Sequence, residues 1–118
     1  MLVSEIVNLL DCEVCCGADK LDTEVRSACG ADMMSDVLAF VKDHAVLLTG
    51  LVNLQVVRTA EMMDIRCIVF VRGKEPDEAL IERAEESGLI VLKSKFRMYP
   101  ACGVLYANGL RGGDTIDA

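Results

Sequence analysis

The stretch from Ala45 to Pro76, AVLLTGLVNLQVVRTAEMMDIRCIVFVRGKEP, constrains the fold more tightly than any other. Ala45 to Leu48 is an apolar run, and Thr49-Gly50 turns the chain. Asn53 is a natural cap for a helix running to Met63, with Val56, Val57, Ala60 and Met63 on one stripe. Cys67 to Val71 is then apolar without interruption, as strands are when helices cover both faces of a sheet. Strand, turn, helix and strand make a βαβ unit, which requires parallel pairing. The expected fold is therefore α/β: a single three-layer domain, with a mostly parallel sheet of about five strands and helices on both faces.

The flanking sequence fits that frame. Leu2, Ile6 and Leu9 repeat at helical spacing, so Val3 to Leu10 reads as a short helix with Ser4 as its cap. Cys12 to Cys16 reads as a strand ended by Gly17, and a weak strand is expected near Glu24 to Ala28. Asp32 to Lys42 reads as a helix with Met34, Val37, Leu38 and Val41 inward, and with Asp32 or Ser35 as cap. Pro76 suits a first helical position and Gly88 a helix end, with Ala79, Leu80, Ala84 and Ile81 turned inward between them. Glu78, Glu82, Glu85 and Glu86 read as a solvated face. Ile90 to Leu92 is a further strand, and a last helix is expected from Pro100 to Ala107, stopped by Asn108-Gly109. Residues 1–110 then form the domain and residues 111–118 a mobile tail.

At 118 residues there is room for one domain with a real core. A formal charge of −7 disfavours nucleic acid, whose affinity rests on neutralising phosphates. No targeting segment is visible at the N-terminus, and no apolar run approaches the roughly 18 residues of a membrane span. The expected location is cytoplasmic, where the six cysteines stay reduced.

Chemistry is concentrated at one place. In a parallel sheet the strands end at a common edge, and ligands favour that edge. The loops after three strands carry Thr49, Gly50 and Asn53; Arg72, Gly73 and Lys74; and Lys93, Ser94, Lys95 and Arg97. Five of the twelve cations would lie along it, joined by helix N-terminal amides after Asn53 and Pro76. Such a field suits a small anionic metabolite or nucleotide; the alternative is a solvated rim that is merely basic. Thr49, Gly50, Asn53, Arg72, Gly73, Lys74 and Lys95 are the candidate ligand-binding residues, with donors at Thr49 and Asn53 and charge partners at the cations. Neither a phosphate-loop motif nor a Gly-x-Gly-x-x-Gly turn occurs.

Other clusters are weaker. Asp32, Ser35 and Asp36 form a possible secondary site, able to gather around magnesium and substrate phosphates, though capping accounts for the same residues. Cys12 and Cys15 have C-x-x-C spacing, but one pair does not close a zinc site, and on a strand they point to opposite faces. His44 beside Asp43 reads as a surface loop residue without an acid or nucleophile partner. The pairs Met33-Met34 and Met62-Met63 read as core filler. No metal site or cofactor is expected.

Beyond these single features, LDTEVRSACGADMMSDVLAF resembles the opening region of DRTGG domains, in which an Asp-rich turn precedes a Ser-Asp-containing helix. LLTGLVNLQVVRTAEMMDIRCIVFVRGKEPDEALIERAEESGLIVL and ACGVLYANGL continue the resemblance, which runs from Leu2 to Leu110. Asp22 of the eponymous string is kept, but its glycine pair is replaced around Ser27-Ala28. The family is related to the N-terminal domain of bacterial HPr kinase/phosphorylase and also occurs beside CBS domain pairs. The resemblance implies the α/β fold already expected, and a regulatory or ligand-sensing module without catalysis. The kinase chemistry of the relative resides in a P-loop domain that this sequence lacks.

Three functions follow as alternatives. The first is a sensing domain for a small anion, with a homodimer as the natural way to pass on its state. The second is an adaptor that meets a protein partner through Leu51, Val52 and Leu54. The third is a phosphoryl- or acyl-transfer enzyme, which needs a base drawn from Asp32, Asp36 or Asp64 near the basic edge.

Overall fold

A computed structural model describes residues 1–40 and 44–112, with the Phe40 side chain excepted. The elements in chain order are α1 (Val3–Leu9), β1 (Glu13–Cys16), a single 3-10 turn (Ala18–Lys20), β2 (Ser27–Gly30) and α2 (Met34–Phe40). They continue as β3 (Ala45–Thr49), α3 (Leu54–Met62), β4 (Ile65–Phe70), α4 (Glu78–Glu86), β5 (Ile90–Lys93) and α5 (Met98–Ala107).

The five strands form one sheet in the order β1-β5-β4-β3-β2. β2 to β5 are parallel neighbours, and β1 closes the sheet antiparallel to β5. Each crossover from β2 to β5 steps one strand in the same direction. The three crossover helices, α2, α3 and α4, therefore lie on one face, as right-handed connections require. Met34, Val37, Val56, Val57, Ala60, Leu80 and Ala84 pack there against Leu47, Ile68, Phe70 and Val91. On the other face α1 and α5 bring Val3, Ile6, Ala101 and Leu105 onto Val46, Leu48, Val69, Ile90 and Leu92. The alternation along β3 and β5, and along β4 from Cys67 to Phe70, is the period-two pleat of strands buried on both sides.

Local departures from the sequence expectation have local causes. Leu2, not Ser4, precedes α1, because an isolated bridge to Glu24 holds it extended. The Glu5 carboxylate then accepts the Leu2 amide at 3.3 Å. The weak strand near Glu24 lies later, at Ser27–Gly30. Pro76 sits one position before the cap of α4: Asp77 caps it, accepting the Leu80 amide at 2.9 Å. Pro100 falls inside α5, whose first turn needs no amide donor there. Ala79 and Leu38 face outward and Ile81 is half-buried, while α2 is described only to Phe40, so Val41 and Lys42 lie outside the described residues.

Both ends of the described chain meet the edge strand region. Met1 exchanges backbone hydrogen bonds with Val25, and the Arg111 carbonyl accepts the Ala28 amide at 3.0 Å. Leu110 is buried and the Arg111 guanidinium lies 3.9 Å over the Tyr106 ring, so the first tail residue is tied down. Of the expected tail, residues 113–118 lie outside the described residues.

Candidate functional site at the C-terminal edge of the sheet

The parallel strands β3, β4 and β5 deliver their following loops to one edge, and backbone hydrogen bonds lace those loops together. The Val71 amide donates to Thr49 O at 3.0 Å. The Arg72 and Gly73 amides donate to Phe96 O and Ser94 O, both at 2.8 Å. Arg72 and Gly73 are consecutive left-handed residues, at φ +64° and +67°. A non-glycine residue in that region is strained, and such positions cluster where a structure over-determines them.

The first surprise is that the two candidate groups form one network. Asp32 Oδ1 accepts the Gly50 amide at 2.8 Å and the Thr49 hydroxyl at 3.1 Å. Thr49 is fully buried, and its Oγ1 also accepts the Leu51 amide at 3.1 Å. The Arg72 guanidinium lies across Gly50 and reaches to 4.0 Å from Asp32 Oδ2. A Cβ on Gly50 would come within 2.1 Å of Arg72 Nη2, so only glycine admits this approach. Ser35 and Asp36 stay exposed on the first turn of α2, and no His, Cys, Asp or Glu group among the described residues gathers as a metal site.

Asn53 is placed as its sequence suggests: it caps α3, its Oδ1 accepting the Val56 amide at 3.3 Å. Its side-chain amide has no hydrogen-bond acceptor among the described residues and sits at the exposed mouth of the turn. Lys74, Lys95 and Arg97 are exposed and have no ion pair among the described residues. Lys93 is different: its ammonium lies between Glu75 and Glu13, the latter at 3.2 Å, and those hydrogen bonds hold its pKa above the ordinary lysine range. The basic edge is thus partly neutralised from within.

A cavity of about 220 Å³ opens beside it, lined by Asp11, Cys12, Glu13, Gly73, Lys93, Ser94 and Lys95. Ser94 is buried and committed, donating to Leu10 O at 2.7 Å and accepting the Phe96 amide at 3.1 Å. Asp11, itself at φ +49°, and Glu13 are the wall that sequence reasoning missed. They arrive because β1 returns antiparallel along β5, a direction that so short a strand does not announce.

Elsewhere the chemistry is quiet. Cys12 packs on the α1–α5 face and Cys15 on the other, as the strand geometry predicts. Burial is the main cause that pushes the Cys12 thiol up to about 12 and raises Cys15, Cys16, Cys29, Cys67 and Cys102 as well, so none is primed as a thiolate. His44 does have an acid partner, Asp64 Oδ2 at 3.1 Å from Nδ1, with Arg66 Nη2 at 3.2 Å from Nε2. That cluster sits where β3 and β4 begin, at the edge opposite the cations, so Asp64 is not available to them as a base. Of the methionine pairs, Met34 is buried and Met63 half-buried, while Met33 and Met62 are exposed.

Comparison with known proteins agrees with this architecture. No curated protein matches the chain. Among solved structures, the crystal structure of the CBS and DRTGG domains of the regulatory region of Clostridium perfringens pyrophosphatase, complexed with the activator diadenosine tetraphosphate, superposes with a TM-score of 0.68 at 12% identity. The match covers 88% of this chain and 45% of that one, so the present chain spans less than half of it. The DRTGG domain family matches residues 5–105. With that match spanning most of the sequence, the chain belongs to the DRTGG domain family.

Proposed function

We propose that this chain is a non-catalytic regulatory domain that senses a small anionic metabolite or nucleotide at the C-terminal edge of its sheet. The observation that carries this reading is the lacing of the β3, β4 and β5 loops into one rim, with Arg72, Lys74 and Lys95 standing along it. Thr49, Gly50 and Gly73 shape the rim, and the Asn53 amide adds a donor at the start of α3. The leading amides of α3 and α4 contribute partial positive charge at the same edge. The regulatory region of the pyrophosphatase binds a nucleotide activator, which supports the same ligand class here.

The test is thermal unfolding against adenine nucleotides, diadenosine tetraphosphate, acetyl phosphate and inorganic phosphate. A ligand at about 100 times its Kd adds about 2.7 kcal/mol, and for a domain of this size Tm should rise by about 4 °C or more. The rise should vanish in the double variant Arg72→Ala, Lys74→Ala. A flat panel, or a rise that survives in the variant, overturns the reading.

A second reading, docking of a protein partner or a second copy, has one observation in its favour. Tyr99 is 90% exposed and Tyr106 46%, flanking Cys102 and Gly103 on the outer face of α5. The turn residues Leu51 and Val52 are half-buried against the core and lend it less.

A further inference from the structure

The turn after β3 already holds an anion, and that anion belongs to the chain. Two donors converge on Asp32 Oδ1, the Gly50 amide at 2.8 Å and the Thr49 hydroxyl at 3.1 Å. The Thr49 hydroxyl donates toward Asp32, because the carboxylate can only accept, while Oγ1 in turn accepts the Leu51 amide. Arg72 stands over the second carboxylate oxygen at 4.0 Å, admitted by the missing side chain of Gly50. An aimed backbone amide, an aimed hydroxyl and a guanidinium are the donor set that binds carboxylate and phosphoryl oxygens.

We propose that Thr49, Gly50 and Arg72 form an oxyanion site that Asp32 occupies in the free domain, and that a phosphoryl or carboxylate group on a ligand displaces it. This rests on the sensing function proposed above and supplies its transducer. Asp32 is suited to yield. Its side chain is 54% exposed, it lies between β2 and α2 rather than inside either, and a half-exposed pair at 4.0 Å to Arg72 contributes little stability. A phosphate dianion brings more charge to the guanidinium than one carboxylate does. Its arrival would release the segment that leads into α2, turning occupancy of the rim into a movement of one crossover element.

An internal occupant lowers apparent affinity by the fraction of time it fills the site, so its removal should raise affinity by about ten-fold or more if it is there nine-tenths of the time. The experiment titrates inorganic phosphate and, separately, acetate into the wild type, Asp32→Ala, and Asp32→Ala combined with Arg72→Ala, with folding checked by circular dichroism. Asp32→Ala should bind phosphate about ten-fold or more tightly than the wild type, and the added Arg72→Ala should abolish the gain. Equal affinity in Asp32→Ala, or a gain that survives loss of Arg72, overturns the proposal. The difference between phosphate and acetate distinguishes a phosphoryl from a carboxylate ligand.

If Asp32→Ala does not fold, the Gly50 amide resonance of the wild type decides. It must shift on saturation with phosphate, and an unmoved resonance overturns the proposal. Wild-type stabilisation by a nucleotide, with Asp32→Ala indifferent to phosphate, overturns the occupied site and leaves the sensing function standing. An Arg72-dependent gain in Asp32→Ala with no wild-type ligand supports the oxyanion site and overturns sensing.

Discussion

Thr49 contributes to both structure and site through one hydroxyl. Its oxygen is buried and makes two hydrogen bonds, one to Asp32 and one from Leu51. Thr49→Val keeps the shape and strands the Leu51 amide, so urea unfolding should show a loss of about 1–3 kcal/mol. A loss within error of zero would mean that the amide finds another partner. The thiols make a pH prediction. Cys12 ionises near its ordinary value of 9.0 when unfolded and holds its proton to about 12 when folded. Between those values the unfolded state releases a proton that the folded state keeps, so stability falls as pH rises from about 9 toward about 12 and is independent of this thiol below that window. Cys12→Ala should flatten the alkaline fall in Tm, and an unchanged slope would assign the fall to the other buried thiols. At this scale the sequence was legible where a side chain acts on its own neighbourhood. Asn53 could be read as a cap because capping reaches only three residues ahead. The tie from Asp32 to Thr49 spans 17 residues and two elements, and no local pattern encodes it.

Elements were legible in proportion to their periodicity. The helices at α3 and α4 and the strands β3, β4 and β5 could be read from stripes and apolar runs, and their shared edge followed from parallel pairing. β1 could be located but not oriented, and its antiparallel return brings Asp11 and Glu13 to the rim. The strand carries a bulge at Cys15, between the pairs Val14 with Leu92 and Cys16 with Val91, and then turns away at Gly17. Gly17 is held twice over. Its φ is +85°, and a Cβ there would lie 2.9 Å from Ile90 Cγ1 and 3.0 Å from Ile90 Cα. Gly17→Ala should cost roughly 2–4 kcal/mol, from left-handed strain and from overpacking against backbone that cannot step aside. Denaturant unfolding tests this, and a loss below about 1 kcal/mol would show that β1 shifts along β5 to make room. Pro76 marks the limit of position rules: the residue favoured at a first helical position stands before the cap because the Asp77 carboxylate caps more effectively.

In the whole molecule one sheet supplies both cores, so neither helical layer has a hydrophobic partner of its own. Size, class and the two-sided core were legible from composition and from strands apolar on both faces, since those properties depend on averages rather than contacts. The reach of the basic edge was overestimated for the same reason. A count of cations does not reveal that Glu13 and Glu75 hold Lys93, or that Asp32 stands against Arg72. The two ends of the described chain have a consequence of their own. Met1 is bonded to Val25 and Arg111 to Ala28, three positions apart on one short stretch. The path from residue 1 to residue 111 is therefore almost a closed ring, a shape that tolerates circular permutation. A short peptide could join those ends and the chain be cut instead in the exposed turn at Lys74-Glu75, with every strand keeping its present neighbours. The same closeness would let the domain be spliced as a cassette into the surface loop of a host protein, entering and leaving through a single gap.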